Sequence, residues 1–88
     1  MHRATAYAAL AAELESWGAL SHADLLAAIN QPVTERVVHA SGQDLLLEIS
    51  ASWATEKRKA CKVLARAYGP SHMRMEQLQE ALIVPIGA

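Results

Sequence analysis

The chain has 88 residues, of which 52% are hydrophobic and 19% charged, and its formal net charge is −1. This length predicts one domain over residues 1–88, and the composition excludes a disordered chain, a disulfide-stapled scaffold and a global attraction to nucleic acid or anionic membranes. Because 18 of the hydrophobic residues are alanine, little apolar area is available for a core, and we expect a thin stability margin.

Helical spacing of apolar residues predicts a first helix that ends near Gly18, a favourable residue for a C-terminal cap. Its buried stripe has four members: Tyr7, Leu10, Leu14 and Trp17. The alanine-rich start faintly resembles a secretory signal peptide, but Glu13 and Glu15 stand where a cleavage site needs small, uncharged residues. Its apolar run is also far shorter than the ~20 residues that span a bilayer. We therefore expect a helix of a cytoplasmic protein.

A second helix is predicted from its start and stop signals. Ser21 occupies the N-cap position and Asp24 follows three residues later, which is a shortened capping box. Pro32 ends the helix. We expect the buried stripe between these signals to consist of Leu25, Leu26 and Ile29.

After the second helix the hydrophobic period changes from 3.6 to 2, which predicts strands over residues 33–39, 44–53 and 59–68. Gly42 supplies a positive φ for the turn between the first two strands. In the second strand one predicted face carries Leu45, Leu47, Ile49, Ala51 and Trp53, and the other carries Leu46, Glu48, Ser50 and Ser52. We expect Trp53 to pack beneath the helices.

Two alternatives remain for residues 72–82. Met75, Leu78 and Leu82 are spaced as on a helix, whereas residues 72–76 alternate as in a strand that follows the Gly69-Pro70 turn. Residues 82–85 are extended in both interpretations.

Residues 20–29, followed by Gln31-Pro32, begin a pattern that continues through later segments. These segments are residues 47–53, 63–65 and 82–85, in this order and spacing. This pattern resembles a group of small bacterial hypothetical proteins. The resemblance implies two helices followed by an antiparallel meander whose last segment is a strand. The chain departs from the pattern at the last turn, where Gly69-Pro70 replaces Asp-Gly and His72 replaces an aromatic residue. Because that group has no established activity, the resemblance assigns no functional residue.

The predicted fold class is α+β, with two N-terminal helices packed on a three- or four-stranded antiparallel meander. In this arrangement Leu46 and Leu64 lie on the sheet face opposite the main core, and Tyr68 shares the alternation of Leu64. Apolar side chains on that face indicate a partner or a second copy of the chain. Leu46, Leu64 and Tyr68 therefore form the candidate interface.

The sequence contains no pattern that indicates a metal, a cofactor or catalysis. None of the four histidines is spaced i, i+3 or i, i+4 from another, as one helical metal face requires: His2, His22, His39 and His72. Cys61 lies on the inward face of the third strand, where we expect a small core residue rather than a reactive thiol. The sequence also lacks a paired acid and base and a glycine-rich phosphate loop. We expect no enzyme and no cofactor.

Lys62 and Arg66 share a strand face and form a candidate anion-binding pair. Arg36 and Arg74 on neighbouring strands would extend the pair into a cationic stripe, with Tyr68 for base stacking. We expect Arg36 and Arg74 to be engaged instead by nearby carboxylates, namely Glu35, Glu48 or Glu76. The sequence thus favours a charge-paired surface and no nucleic-acid partner.

Taken together, these features favour a non-catalytic protein-interaction domain that works as a homodimer in the cytoplasm, without a membrane partner. The alternative is a small regulatory or inhibitor protein, of the antitoxin or immunity kind, that binds another macromolecule.

Overall fold

The structure, a computed structural model, describes residues 3–40, 42–54, 58–69 and 77–86. Two helices precede four strands: α1 (Arg3–Gly18), α2 (His22–Ile29), β1 (Thr34–Ala40), β2 (Gln43–Trp53), β3 (Ala60–Tyr68) and β4 (Gln77–Pro85). The strands form one antiparallel sheet in the order β1-β2-β3-β4. The predicted α+β fold is confirmed, with four strands in its meander.

Local sequence signals set both ends of the connection between the helices. The side-chain oxygen of Ser21 accepts a hydrogen bond of 3.2 Å from the backbone N–H of Asp24, which confirms the predicted N-cap. Gly18 is the last residue of α1, and a Cβ atom there would lie 3.1 Å from Cδ2 of Leu82. The glycine therefore allows α1 to approach β4 closely.

The turn between β1 and β2 follows the predicted chemistry. Gly42 adopts a φ of +74°, a backbone conformation that L side chains rarely adopt. It immediately precedes Gln43, which pairs with Ala40 to close the hairpin. The turn thus fixes the register that places alternate β2 residues on opposite faces.

The last segment forms a strand over residues 77–85, so the helical alternative is wrong for residues 77–82. Leu78 and Leu82 are four residues apart, a spacing that fits one face of a helix and also one face of a strand. Pairing with β3 decides between the two, because β4 pairs along its whole length, from Gln77 opposite Tyr68 to Pro85 opposite Ala60. Residues 72–76 lie outside the described residues.

The core lies between the two helices and one face of the sheet. Helix α1 lies over β3 and β4 and also contacts β1, whereas α2 lies over β2 and β3. The largest fully buried side chains of this core are Leu10, Leu25, Leu45, Leu47, Ile49, Val63 and Cys61. Tyr7 and Leu26 were expected on the buried stripes of the helices but are exposed. Both helices therefore pack on the same side of the sheet, and none of the described residues packs as a second layer on the other side.

Trp53 lies on the predicted face of β2, opposite the buried Cys61, but at the end of the strand and only half-buried. The Cζ atom of Arg58 lies 6.0 Å from the centroid of its ring. Arg58 has a φ of 56°, the only positive value of a non-glycine residue in the described part of the chain. Trp53 thus closes the end of the sheet with Arg58 instead of packing beneath the centre of the helices.

Replacing Trp53 with alanine is expected to lower the free energy of unfolding by about 2 kcal/mol, below the 3–5 kcal/mol typical of a fully buried aromatic side chain. Arg58→Ala removes only the cation–π contact and is expected to cost about 0.5 kcal/mol. Urea denaturation followed by circular dichroism measures both. A loss above about 4 kcal/mol for Trp53→Ala would place the indole in the main core.

Candidate interaction surface

The open face is the face of the sheet opposite the helices. It consists of alternate residues whose strand neighbours point into the core, as the buried Leu45, Leu47 and Ile49 do in β2. Its members are Glu35, Val37 and His39 in β1, Asp44, Leu46, Glu48, Ser50 and Ser52 in β2, Lys62, Leu64, Arg66 and Tyr68 in β3, and Gln77, Gln79, Ala81 and Ile83 in β4. Both polar and apolar side chains are therefore presented on one accessible surface.

An apolar strip crosses three strands of the open face. Val37 pairs with Leu46, and Leu46 pairs with Tyr68. Val37 is 61% exposed and Leu46 is 36% exposed, while Tyr68 is half-buried. Leu64 is also half-buried on this face, four residues before Tyr68 along β3. The three residues of the candidate interface thus share one face, as the alternation predicts.

A polar row lies beside the apolar strip. It crosses all four strands at one level and consists of Glu35, Glu48, Arg66 and Gln79. Glu35 and Glu48 are like charges placed directly opposite each other, and Arg66 is the cation next to Glu48. The acidic groups of this row therefore lie on β1 and β2, whereas its basic group lies on β3.

Tyr68 connects the apolar strip to the polar row. Its pKa is raised above the usual value, first because its hydroxyl donates a hydrogen bond to the Glu48 carboxylate and then because of partial burial and the Glu48 charge. Arg66 acts in the opposite direction on the same hydroxyl. The Nε atom of Arg66 is buried and has no hydrogen-bond partner within the described ranges. Arg66, Glu48 and Tyr68 thus form one interacting polar group.

The structure changes the predicted cationic stripe. Lys62 and Arg66 both lie on the open face of β3, and Arg66 lies directly opposite Glu48 of β2. Arg36 does not join them, because it pairs with the buried Leu47 and therefore points to the helix side of the sheet. A carboxylate binds Arg36, as expected, but it belongs to Glu13 and not to Glu35, Glu48 or Glu76. Arg74 and Glu76 lie outside the described residues.

Arg36 instead forms an ion pair that the sequence interpretation missed. Its Nη1 atom lies 3.2 Å from Oε1 and 3.1 Å from Oε2 of Glu13, a residue that is only 8% exposed. The indole Nε1 of Trp17 donates to the same carboxylate at 3.4 Å. The available signal was the position of Glu13, three residues after Leu10 and four before Trp17, on the apolar stripe of α1. This ion pair joins α1 to the edge strand β1.

Cys61 and the described histidines are the other side chains considered as candidate metal ligands or nucleophiles. Cys61 is fully buried, which confirms the core assignment, and burial raises the pKa of its thiol. His22 is exposed, and His39 contacts Asp44 beside the hairpin turn. Within the ranges that the structure describes, no group of three or more His, Cys, Asp or Glu residues is placed to hold a metal ion.

A shallow groove of about 380 Å³ lies between α1 and β4 and is lined by Tyr7, Ala11, Leu14 and Glu80. Its lining combines the apolar side chains of Ala11 and Leu14 with the carboxylate of Glu80 and the phenol ring of Tyr7. Across the described portion of the chain, no helix is long and apolar enough to cross a membrane.

No protein family, curated protein or solved structure matches this chain. The function is therefore inferred from the residues of the open face.

Proposed function

We propose that this chain is a non-catalytic protein-interaction domain that works as a homodimer through its open face. The observation that carries the proposal is the apolar strip of Val37, Leu46 and Tyr68, which the helices leave uncovered. Single exposed apolar residues are common on protein surfaces, whereas neighbouring ones across three strands are typical of a contact surface.

The size of the open face fits a weak but specific dimer. Four strands about 4.8 Å apart, each about eight residues long at about 3.3 Å per residue, cover roughly 500 Å². Two copies would bury about 1,000 Å² in total, which is near the lower limit of specific interfaces. Two-fold dimers are the commonest oligomers of soluble proteins. We therefore expect dissociation in the micromolar range.

The two edges of the sheet are less suited to self-association than its open face. Each edge strand carries a charged side chain on the helix side of the sheet, Arg36 in β1 and Glu80 in β4. Their orientation follows from their pairing partners, Leu47 and Ala65, which are both buried in the core. Inward-pointing charges on edge strands oppose the addition of a further strand. This arrangement favours contact through the face of the sheet.

A non-catalytic role in the cytoplasm is supported by the surroundings of the reactive side chains. The thiol of Cys61 is fully buried, which disfavours the thiolate form that a nucleophile needs. A free thiol also fits a reducing compartment.

Sedimentation equilibrium between about 1 and 100 μM tests the dimer, because this range brackets micromolar dissociation. We expect the wild-type chain to dimerise and Leu46→Asp to remain monomeric. Leu26→Asp is the matched control, since Leu26 is 38% exposed on α2 and Leu46 is 36% exposed on the open face. The control is expected to dimerise like the wild type.

Two results would contradict the proposal. One is a 9.5 kDa species alone across the whole range for the wild type, which would favour the alternative of a regulatory or inhibitor protein acting as a monomer. The other is equal loss of the dimer in both leucine variants, which would show that Leu46 has no special part in the contact.

We expect no nucleic-acid binding tighter than about 10 μM at physiological salt, because such binding requires several cations directed at phosphates. Of the basic residues described, Arg66 lies directly opposite the Glu48 carboxylate, and Arg36 is bound to Glu13 on the other face. Fluorescence anisotropy with labelled single and double strands over a range of salt checks this expectation. Tight, salt-dependent binding that is lost when Lys62→Glu and Arg66→Glu are combined would replace the proposed function with a nucleic-acid one.

A further inference from the structure

We propose that the two copies of the dimer are related by a two-fold axis that runs parallel to the strands, midway between β2 and β3, so that Glu48 of each copy faces Arg66 of the other. This inference rests on the proposed function, and it specifies which contacts the second copy makes. It follows from the unequal distribution of charge over the open face.

The open face has an acidic half and a basic half. The carboxylates of Glu35 and Glu48 lie on β1 and β2, while Lys62 and Arg66 lie on β3. Gln79 continues the polar row on β4, where its amide can donate hydrogen bonds. Any face-to-face dimer must therefore either place opposite halves together or place like halves together.

An axis parallel to the strands places opposite halves together. Rotation by 180° about this axis lays β1 over β4 of the second copy and β2 over β3, and it leaves each residue at its own level along the strands. Glu48 then faces Arg66, Glu35 faces Gln79, and the apolar Leu46 faces Tyr68. Each of these contacts is chemically complementary.

An axis across the strands gives the opposite result. It lays β1 over β1 and β3 over β3 of the second copy, so the acidic halves face each other and the basic halves do likewise. Like charges brought together in a desolvated contact are strongly unfavourable. An axis perpendicular to the sheet does not bring the two open faces into contact. The charge distribution therefore favours the axis parallel to the strands.

Two of the three residues in the apolar strip fit the same geometry, whereas Val37 then faces Gln77 of the second copy. Leu46 and Tyr68 are paired within one chain, so the proposed axis produces two symmetric Leu46–Tyr68 contacts between the copies. These contacts lie next to the polar row along the strands and would limit access of water to the Glu48–Arg66 pairs. Arg66 has five N–H donors and can therefore bind Glu48 of its own chain and of the second copy.

A charge-swapped chain, E48R combined with R66E, tests the axis with little risk to the fold, because an opposite-charge pair remains between β2 and β3. We expect this double variant to form homodimers with a dissociation constant within about threefold of the wild type, since the complementary contacts are restored across the axis. When the double variant is mixed with isotope-labelled wild type, we expect homodimers to dominate in native mass spectrometry, because a mixed dimer juxtaposes like charges.

The single variants give the complementary result. E48K and R66E are each expected to weaken self-association at least tenfold, and an equimolar mixture of the two is expected to form a heterodimer, since the new lysine then faces the new glutamate. E15K, which makes the same charge change at an exposed position of α1, is the control and is expected to dimerise normally. Circular dichroism confirms that each variant is folded.

Two outcomes would overturn the axis while leaving the proposed function in place. The first is preferential formation of mixed dimers between the double variant and the wild type. The second is failure of E48K and R66E to associate with each other, although the wild type dimerises and Leu46→Asp does not. The first outcome is the one expected for an axis across the strands. Absence of a wild-type dimer would overturn both the axis and the proposed function.

Discussion

Replacing Leu47 with alanine is expected to lower the free energy of unfolding by about 3 kcal/mol, whereas the same substitution at Leu46 is expected to cost less than about 1 kcal/mol in the monomer. The two leucines are adjacent in β2 but lie on opposite faces. Leu47 is 0% exposed in the core, and Leu46 is 36% exposed on the open face. Deletion of the Leu47 side chain leaves a cavity between sheet and helices, while deletion of Leu46 removes only partly exposed apolar area.

Urea denaturation at several protein concentrations separates the two effects. Dimer formation adds stability that depends on concentration, so Leu46→Ala is expected to reduce mainly the concentration-dependent part. Leu47→Ala is expected to lower stability equally at every concentration, and about 3 kcal/mol is a large share of the total for a small domain. Similar losses for both variants at the lowest concentration would contradict the assignment of faces in β2.

The second large effect is expected at the ion pair between α1 and β1. Arg36→Met is expected to cost about 2 kcal/mol, because the carboxylate of Glu13, with a side chain only 9% exposed, would lose its cation. The estimate lies below the 3–5 kcal/mol of fully buried pairs because the Arg36 side chain is 57% exposed. Glu13→Gln is expected to cost about 1 kcal/mol, since an amide oxygen still accepts from Trp17 and Arg36.

A double-mutant cycle tests this ion pair. The combination of Glu13→Met with Arg36→Met is expected to be closer in stability to the wild type than Arg36→Met alone, because neither charge is left without its partner. Glu15→Met is the matched control, since Glu15 is exposed on the same helix, and we expect a change below about 0.5 kcal/mol. Additive losses in the cycle would show that Glu13 and Arg36 are not energetically coupled.

Parts of the fold that depend on neighbouring residues were predictable from the sequence. The Ser21 cap, the Gly42 turn and the alternation in β2 each follow from local geometry, and the structure confirms all three. The alternation also placed Leu46 and Leu64 on the correct face, because the other face of their strands is continuously apolar.

Parts that depend on distant contacts were not predictable in the same way. In β1 both alternating sets mix polar and apolar residues, so the pattern does not decide whether Arg36 points to the helices or to the open face. The partner that holds Arg36 on the helix side is Glu13, which lies 23 residues earlier in the chain. Similarly, the spacing of Leu78 and Leu82 fits two structures, and only pairing with β3 selects the strand.

Isotope-filtered NOE spectroscopy on a dimer of one labelled and one unlabelled copy tests most directly whether a second copy covers the open face. We expect NOEs from the methyl groups of Leu46 in one copy to the ring of Tyr68 in the other, and no intermolecular NOEs from Leu26 on α2. Leu26 has nearly the same exposed fraction as Leu46, 38% against 36%, so the two leucines differ mainly in the surface that presents them. Intermolecular NOEs from Leu26 without any from Leu46 would show that the second copy does not cover the open face.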